Sequence, residues 1–101
     1  MERLSNIHPG EILREEFLSP LGITAYRLAK DIQVSPTRIT DILNGRRGIS
    51  AETALRLSRY FGNSAQFWLN LQSHYELREA QDRHREEMLA IPRCDRLPLA
   101  A

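Results

Sequence analysis

One cysteine, Cys94, stands in the 101 residues, so the chain can form no internal disulfide and no zinc site built on several thiolates. No apolar run approaches the ~20 residues that a membrane helix needs. The opening, MERLSNIHPGEIL, has no apolar stretch of signal-peptide character, so a cytoplasmic protein is expected, with no membrane partner. The three histidines, His8, His74 and His84, are scattered, and neither H-E-x-x-H nor another metal spacing occurs. Glycine is scarce and makes no phosphate-cradling loop; Gly45 and Gly48 flank arginines in a turn. The adjacent Glu15 and Glu16 would point about 100° apart on a helix, which suits surface charge and not a convergent acid–base pair. The serines fall at candidate helix caps, and the FWL cluster reads as core. No catalytic residue, metal, cofactor or small-molecule ligand is therefore expected. Cys94, in a Pro-flanked segment, reads as a surface thiol.

The hydrophobic share of 42% and charged share of 27% are those of one ordinary globular domain with a modest core. Its most informative stretch is 24–45, TAYRLAKDIQVSPTRITDILNG. Ala25, Leu28, Ala29 and Ile32 fall at i, i+3, i+4 and i+7, one apolar face of a short helix with Thr24 as N-cap. Gln33 and Val34 turn the chain. Ser35 and Pro36 then open a second helix as N-cap and first residue. Ile39, Ile42 and Leu43 are its buried side, and Asn44-Gly45 supply a left-handed stop. Two helices this short cross steeply only over a small contact residue, which Ala29 supplies. The pattern is a helix-turn-helix, motif 24–44, with a recognition helix over 36–44 shaped for the major groove of double-stranded DNA. Gln33 stands where such turns commonly carry glycine with positive φ. It implies either about 1 kcal/mol of strain or a turn that bends differently.

The exposed side of the second helix carries Thr37, Arg38, Thr40 and Asp41, the expected base-reading residues. Arg38 can donate two parallel bonds to guanine O6 and N7, and the threonines offer hydroxyl and methyl groups. Asp41 either accepts from cytosine N4 or orients Arg38 as an i, i+3 partner. Arg46 and Arg47, beyond the helix end, suit phosphates. Arg27 and Lys30 on the first helix can reach the backbone too. Between Thr24 and Arg47 there are five basic and two acidic side chains, whereas the whole chain carries only +1. Positive charge is concentrated on the candidate reading surface.

Around the motif, a first helix should start at His8 or Pro9 and run through GEILREEFL until Pro20 blocks it, with Ile12, Leu13 and Phe17 inward. AETALRLSRYFG makes a fourth helix, capped by Ser50 and stopped by Gly62, with Ala54, Leu57 and Phe61 inward. Ser64 caps a longer fifth helix continuing well past Tyr75. Phe67, Trp68, Leu71 and Tyr75 form one apolar side of it, expected in the core. A second stripe, Leu69, Ser73, Leu77, Ala80, His84 and Met88, is expected to pack on another protein molecule, first of all an identical subunit. The alternative is a single wedge filling one large core. From Ile91, IPRCDRLPLAA loses helical period and reads as an extended or disordered tail, dividing the chain into a domain over 1–90 and a tail over 91–101.

HPGEILREEFL, PLGIT, ILNGRRGIS, TALRLSRYFG and FWLNLQ, in this order, resemble the HigA family of antitoxins. These are also called addiction-module antidote or virulence-associated protein I-like proteins, of the Xre-type helix-turn-helix group. The resemblance spans roughly residues 7 to 81. It implies an all-α, five-helix, lambda-repressor-like domain with a long C-terminal helix, in a bacterial and usually dimeric protein that is nucleoid-associated through DNA. It further implies repression of its own operon at an inverted-repeat operator and neutralisation of a HigB or RelE-like mRNA-cleaving toxin. Carried over by position, base and phosphate contacts fall on Thr37, Arg38, Thr40 and Asp41. Backbone phosphate contacts fall on Thr24, Asn44, Arg46 and Arg47, with Arg27 and Ser35 added at the helix starts. The resemblance leaves the toxin-docking surface open. Two other functions stay in play: a regulator with no toxin partner, and a toxin-binding module that no longer reads DNA.

Overall fold

The computed structural model describes residues 5–96, and all regular structure among them is helical. Helix α1 covers 9–21 without a break. It begins as Pro9–Ile12, widens over Leu13–Leu18 and ends with the turn Ser19–Leu21. Its N-cap is His8, whose ring Nδ1 accepts from the Gly10 N–H at 2.9 Å. The expected stop at Pro20 is overtaken: the helix passes through it and ends at Gly22, φ 66°. Proline disrupts the α-turn before it because it lacks an N–H and crowds the carbonyl four residues back. Here the turns before it are wider, with the Ser19 N–H reaching the Arg14 carbonyl five residues back, which takes that ladder out of ordinary α register.

The helix-turn-helix is α2, Ala25–Ile32, and α3, Pro36–Leu43. Thr24 Oγ1 accepts from the Arg27 N–H at 3.1 Å and Ser35 Oγ from the Arg38 N–H at 3.2 Å, the two expected caps. Leu28, Ala29, Ile32, Ile39 and Ile42 are buried, Ala29 completely. Gln33 takes the glycine-like conformation, φ 63° and ψ 48°, so the turn keeps its usual course and accepts the strain. At the other end of α3, Gly45 is left-handed at φ 74°, while Asn44 stays at φ −91°.

Helices α4, Ala51–Phe61, and α5, Ala65–Arg83, close the core behind the motif. Ser50 and Ser64 cap them through the Thr53 and Phe67 N–H groups. Trp68 is fully buried, its ring centroid 4.8 Å from that of Phe17, and its Nε1 donates to Asn63 Oδ1 at 3.0 Å. Leu71 packs on the core, and Phe67 stays 38% exposed at its edge. Leu69, expected on the outward stripe, also packs partly against the core, so the solvent-facing stripe begins at Ser73. Ser73, Leu77 and Ala80 are exposed. His84, at φ −113°, breaks the expected single long helix, and a sixth short helix, α6, Arg85–Leu89, follows with Met88 exposed. Ile91–Arg96 are exposed and non-helical; the rest of the expected tail lies outside the described residues.

Two close approaches set α3 and the loop that follows it. A Cβ on Gly10 would stand 1.9 Å from the Ile42 carbonyl oxygen, so only glycine lets α1 lie this near the end of α3. Gln72, buried on α5, accepts from the Ile49 N–H at 2.8 Å and holds the loop into α4.

Candidate nucleic-acid interface

Helix α3 leaves Pro36, Thr37 and Thr40 exposed, with Asn44 just past its end. The two threonine side chains thus face solvent as expected for base readers. Arg38 is neither buried nor free. Its side chain is 28% exposed, and Nη1 donates to Glu52 Oε1, in the first turn of α4, at 3.1 Å. The second oxygen, Glu52 Oε2, accepts from Arg56 Nη2 at 3.2 Å. Arg38 first and Arg56 second hold the Glu52 carboxyl below the usual carboxylate range. The alternative pairing of Arg38 with Asp41 does not form. Asp41 pairs with Arg46 instead, Oδ1 to Nε at 3.4 Å. Each α3 side chain takes the opposite charge that tertiary structure brings nearer: α4 for Arg38, the following loop for Asp41.

The expected phosphate-contacting residues bracket the motif. Thr24 and Ser35 open α2 and α3; each oxygen accepts a cap bond, leaving its O–H available to donate. Asn44, Arg46 and Arg47 follow α3 and are exposed, as is Arg27. Arg27 is tied at 2.8 Å to Asp31, which also accepts from the Tyr60 hydroxyl at 2.6 Å. Those bonds, Tyr60 first, hold the Asp31 carboxyl low. Arg47 forms no ion pair among the described residues. It lines a notch of about 240 Å³ with Arg38, Gly48, Ser50, Glu52 and Thr53.

Several positioning residues escaped the sequence analysis. Arg14 Nη2 donates to the Leu43 carbonyl at 3.1 Å and reaches Asn44 Oδ1 at 3.5 Å, fixing the end of α3. Arg56 Nη1 donates to the Ile32 carbonyl at 2.8 Å and closes the end of α2. Cations suit helix ends in general, but nothing local in the sequence names a helix that lies elsewhere in the chain. The only legible trace is the Glu52/Arg56 spacing of four on one helix.

Among the described residues, no group of three or more His, Cys, Asp or Glu is arranged to hold a metal ion. No described helix is long and apolar enough to cross a membrane.

A helix-turn-helix family model matches residues 13–68. Virulence-associated protein I of Dichelobacter nodosus is 55% identical over 86 residues, covering 85% of this chain and 80% of that protein. Antitoxin HigA-1 of Vibrio cholerae is 37% identical over 78 residues, 77% of this chain and 73% of that one. Among solved structures, the Pseudomonas aeruginosa antitoxin HigA with higBA promoter superposes with a TM-score of 0.85 at 45% identity, covering 95% of this chain and 100% of that one.

Proposed function

We propose a function from one premise: this chain belongs to the helix-turn-helix family, in its HigA group of antitoxins and virulence-associated protein I-like proteins. It acts as a DNA-binding repressor and as the antitoxin of a toxin–antitoxin module. The observation that carries the reading is the likeness, over almost the whole chain, to an antitoxin solved with promoter DNA. The exposed outer side of α3 agrees with it.

In this reading the protein is a bacterial cytoplasmic homodimer, nucleoid-associated through its operator, an inverted repeat beside its own gene. Thr37, Arg38, Thr40 and Asp41 meet base edges. Thr24, Arg27, Ser35, Asn44, Arg46 and Arg47 meet phosphates, the sequence-independent part of affinity. Two recognition helices related by a dyad require half-site centres about 34 Å apart on one DNA face. The solvent-facing stripe from Ser73 through Leu77, Ala80 and His84 to Met88, continued from Leu69, serves the second subunit. The protein neutralises a HigB or RelE-like toxin by direct binding.

A band-shift with DNA upstream of the gene tests the DNA half: a discrete complex that random DNA does not compete away is expected. Co-expression with the adjacent reading frame tests the antitoxin half. Co-purification and relief of growth arrest are expected, and a neighbour that neither binds nor arrests growth leaves a stand-alone regulator. The ion pairs that occupy Arg38 and Asp41 favour a second reading, a toxin-binding module that no longer reads DNA. Absence of any shifted band from a protein that still binds its neighbour selects it.

A further inference from the structure

We propose that Glu52 is a specificity-determining positioning residue of the DNA interface: its carboxylate holds Arg38 back from phosphates and releases it to a guanine edge. The inference rests on the DNA-binding reading above. Three observations support it.

First, the Arg38–Glu52 bond is accessible, with side chains 28% and 58% exposed, so a duplex can compete for it. Second, Glu52 is not a wandering surface group. Arg56 grips its other oxygen, and Arg56 is itself anchored at 2.8 Å on the Ile32 carbonyl at the end of α2. The carboxylate is thus braced against the turn of the motif. Third, Glu52 lines the same notch as Arg38 and Arg47, so it places a negative charge where an approaching polyanion would meet two arginines.

The selectivity follows from what Arg38 gains by leaving. An exposed ion pair of this kind is worth up to about five-fold in an equilibrium constant. A phosphate offers Arg38 another anion in exchange for the one it loses, so the exchange is close to neutral. Guanine offers O6 and N7 to two parallel N–H groups, worth about 5- to 150-fold in discrimination. Glu52 therefore removes the Arg38 contribution from binding to arbitrary DNA and leaves most of it at a matching site. Arg47 lines the notch but forms no ion pair among the described residues, and it contributes to both.

The test compares wild type, E52Q, R38A and the double variant on random-sequence duplex, across 50 to 200 mM salt (about the range where phosphate contacts dominate), together with upstream DNA for wild type and E52Q. Glutamine preserves size at an exposed position and removes the charge; its single carbonyl oxygen can accept from Arg38 or from Arg56 but not from both. Expected for E52Q is about five-fold tighter random binding, a log–log salt slope steeper by about one, and a correspondingly smaller preference for upstream DNA. In the R38A background the slope is expected not to steepen. An equal steepening with and without Arg38, or unchanged preference in E52Q, overturns the role of Glu52. A wild-type protein with no preference for upstream DNA would instead remove the DNA-binding reading and this inference with it.

Discussion

Arg38 and Arg47 carry the same charge in different settings. The first is ion-paired across to α4, on the helix that presents the threonines; the second is exposed beyond the helix end. Their substitutions should accordingly fail in different ways. Arg38→Ala is expected to cost about 1–3 kcal/mol on the matching site and little elsewhere, relaxing sequence preference. Arg47→Ala should weaken all sequences alike and flatten the salt slope by about one. Parallel titrations of both variants on matching and scrambled duplexes separate the two; a uniform loss from Arg38→Ala would remove it from base reading. His8 supplies a prediction of another kind. Its ring caps α1 through an unprotonated nitrogen, and burial lowers its pKa. In the unfolded chain the ring takes a proton near pH 6.5. The fold therefore resists that proton, and the stability this adds is complete above about pH 6.5 and is lost as pH falls through the lower folded value. H8N keeps a capping oxygen without the titration, so its melting temperature should vary less than wild type between about pH 7.5 and 5.5. Identical slopes in the two proteins would show that His8 does not titrate differently on folding.

At the scale of helices, what the sequence disclosed was local. The four Ser/Thr caps at Thr24, Ser35, Ser50 and Ser64 form as expected, because an N-cap needs only its own residue and the backbone three positions on. The buried faces of α2 and α3 were legible for the same reason: periodicity of 3.6 is a property of consecutive residues. Pro20 misled, since the rule that proline ends a helix assumes regular α-turns before it, and here they are wide. The Arg14, Arg56 and Gln72 bonds were illegible because their partners lie far along the chain and become neighbours only after folding. In the sequence Glu52 is no more than an acidic residue in the first turn of its helix; its grip on Arg38, fourteen positions away, arises only in the fold. Gln33 joins the two levels. Its positive φ was anticipated as one of two outcomes, and the coordinates select the strained one. Gln33→Gly should therefore stabilise the protein by up to about 1 kcal/mol, read from the denaturant midpoint, with DNA affinity unchanged. A loss of stability would place the turn under some other control, such as packing of the glutamine stem.

For the molecule as a whole, the proposed dimer requires two copies of α3 to share one duplex. The domain builds its core from α1 through α5 and leaves Leu77 on α5, Met88 and Leu89 on α6, and Ile91 beyond it more than half exposed. Leu77→Glu puts a charge in the middle of that stripe without touching the core or α3. Sedimentation should then show a monomer, with operator affinity reduced and single-domain stability retained; an unchanged mass would move the subunit interface elsewhere. The reading surface itself can be interrogated without knowing its sequence preference, since guanine N7 lies in the major groove and accepts the bond assigned to Arg38. Methylation interference on DNA upstream of the gene is the direct measurement. Modified guanines that block the wild-type protein should fall in two clusters about one helical turn apart, and Arg38→Ala should be indifferent to them. Binding by the wild-type protein that ignores N7 methylation throughout the bound segment would contradict the assignment of α3 as the element that reads bases.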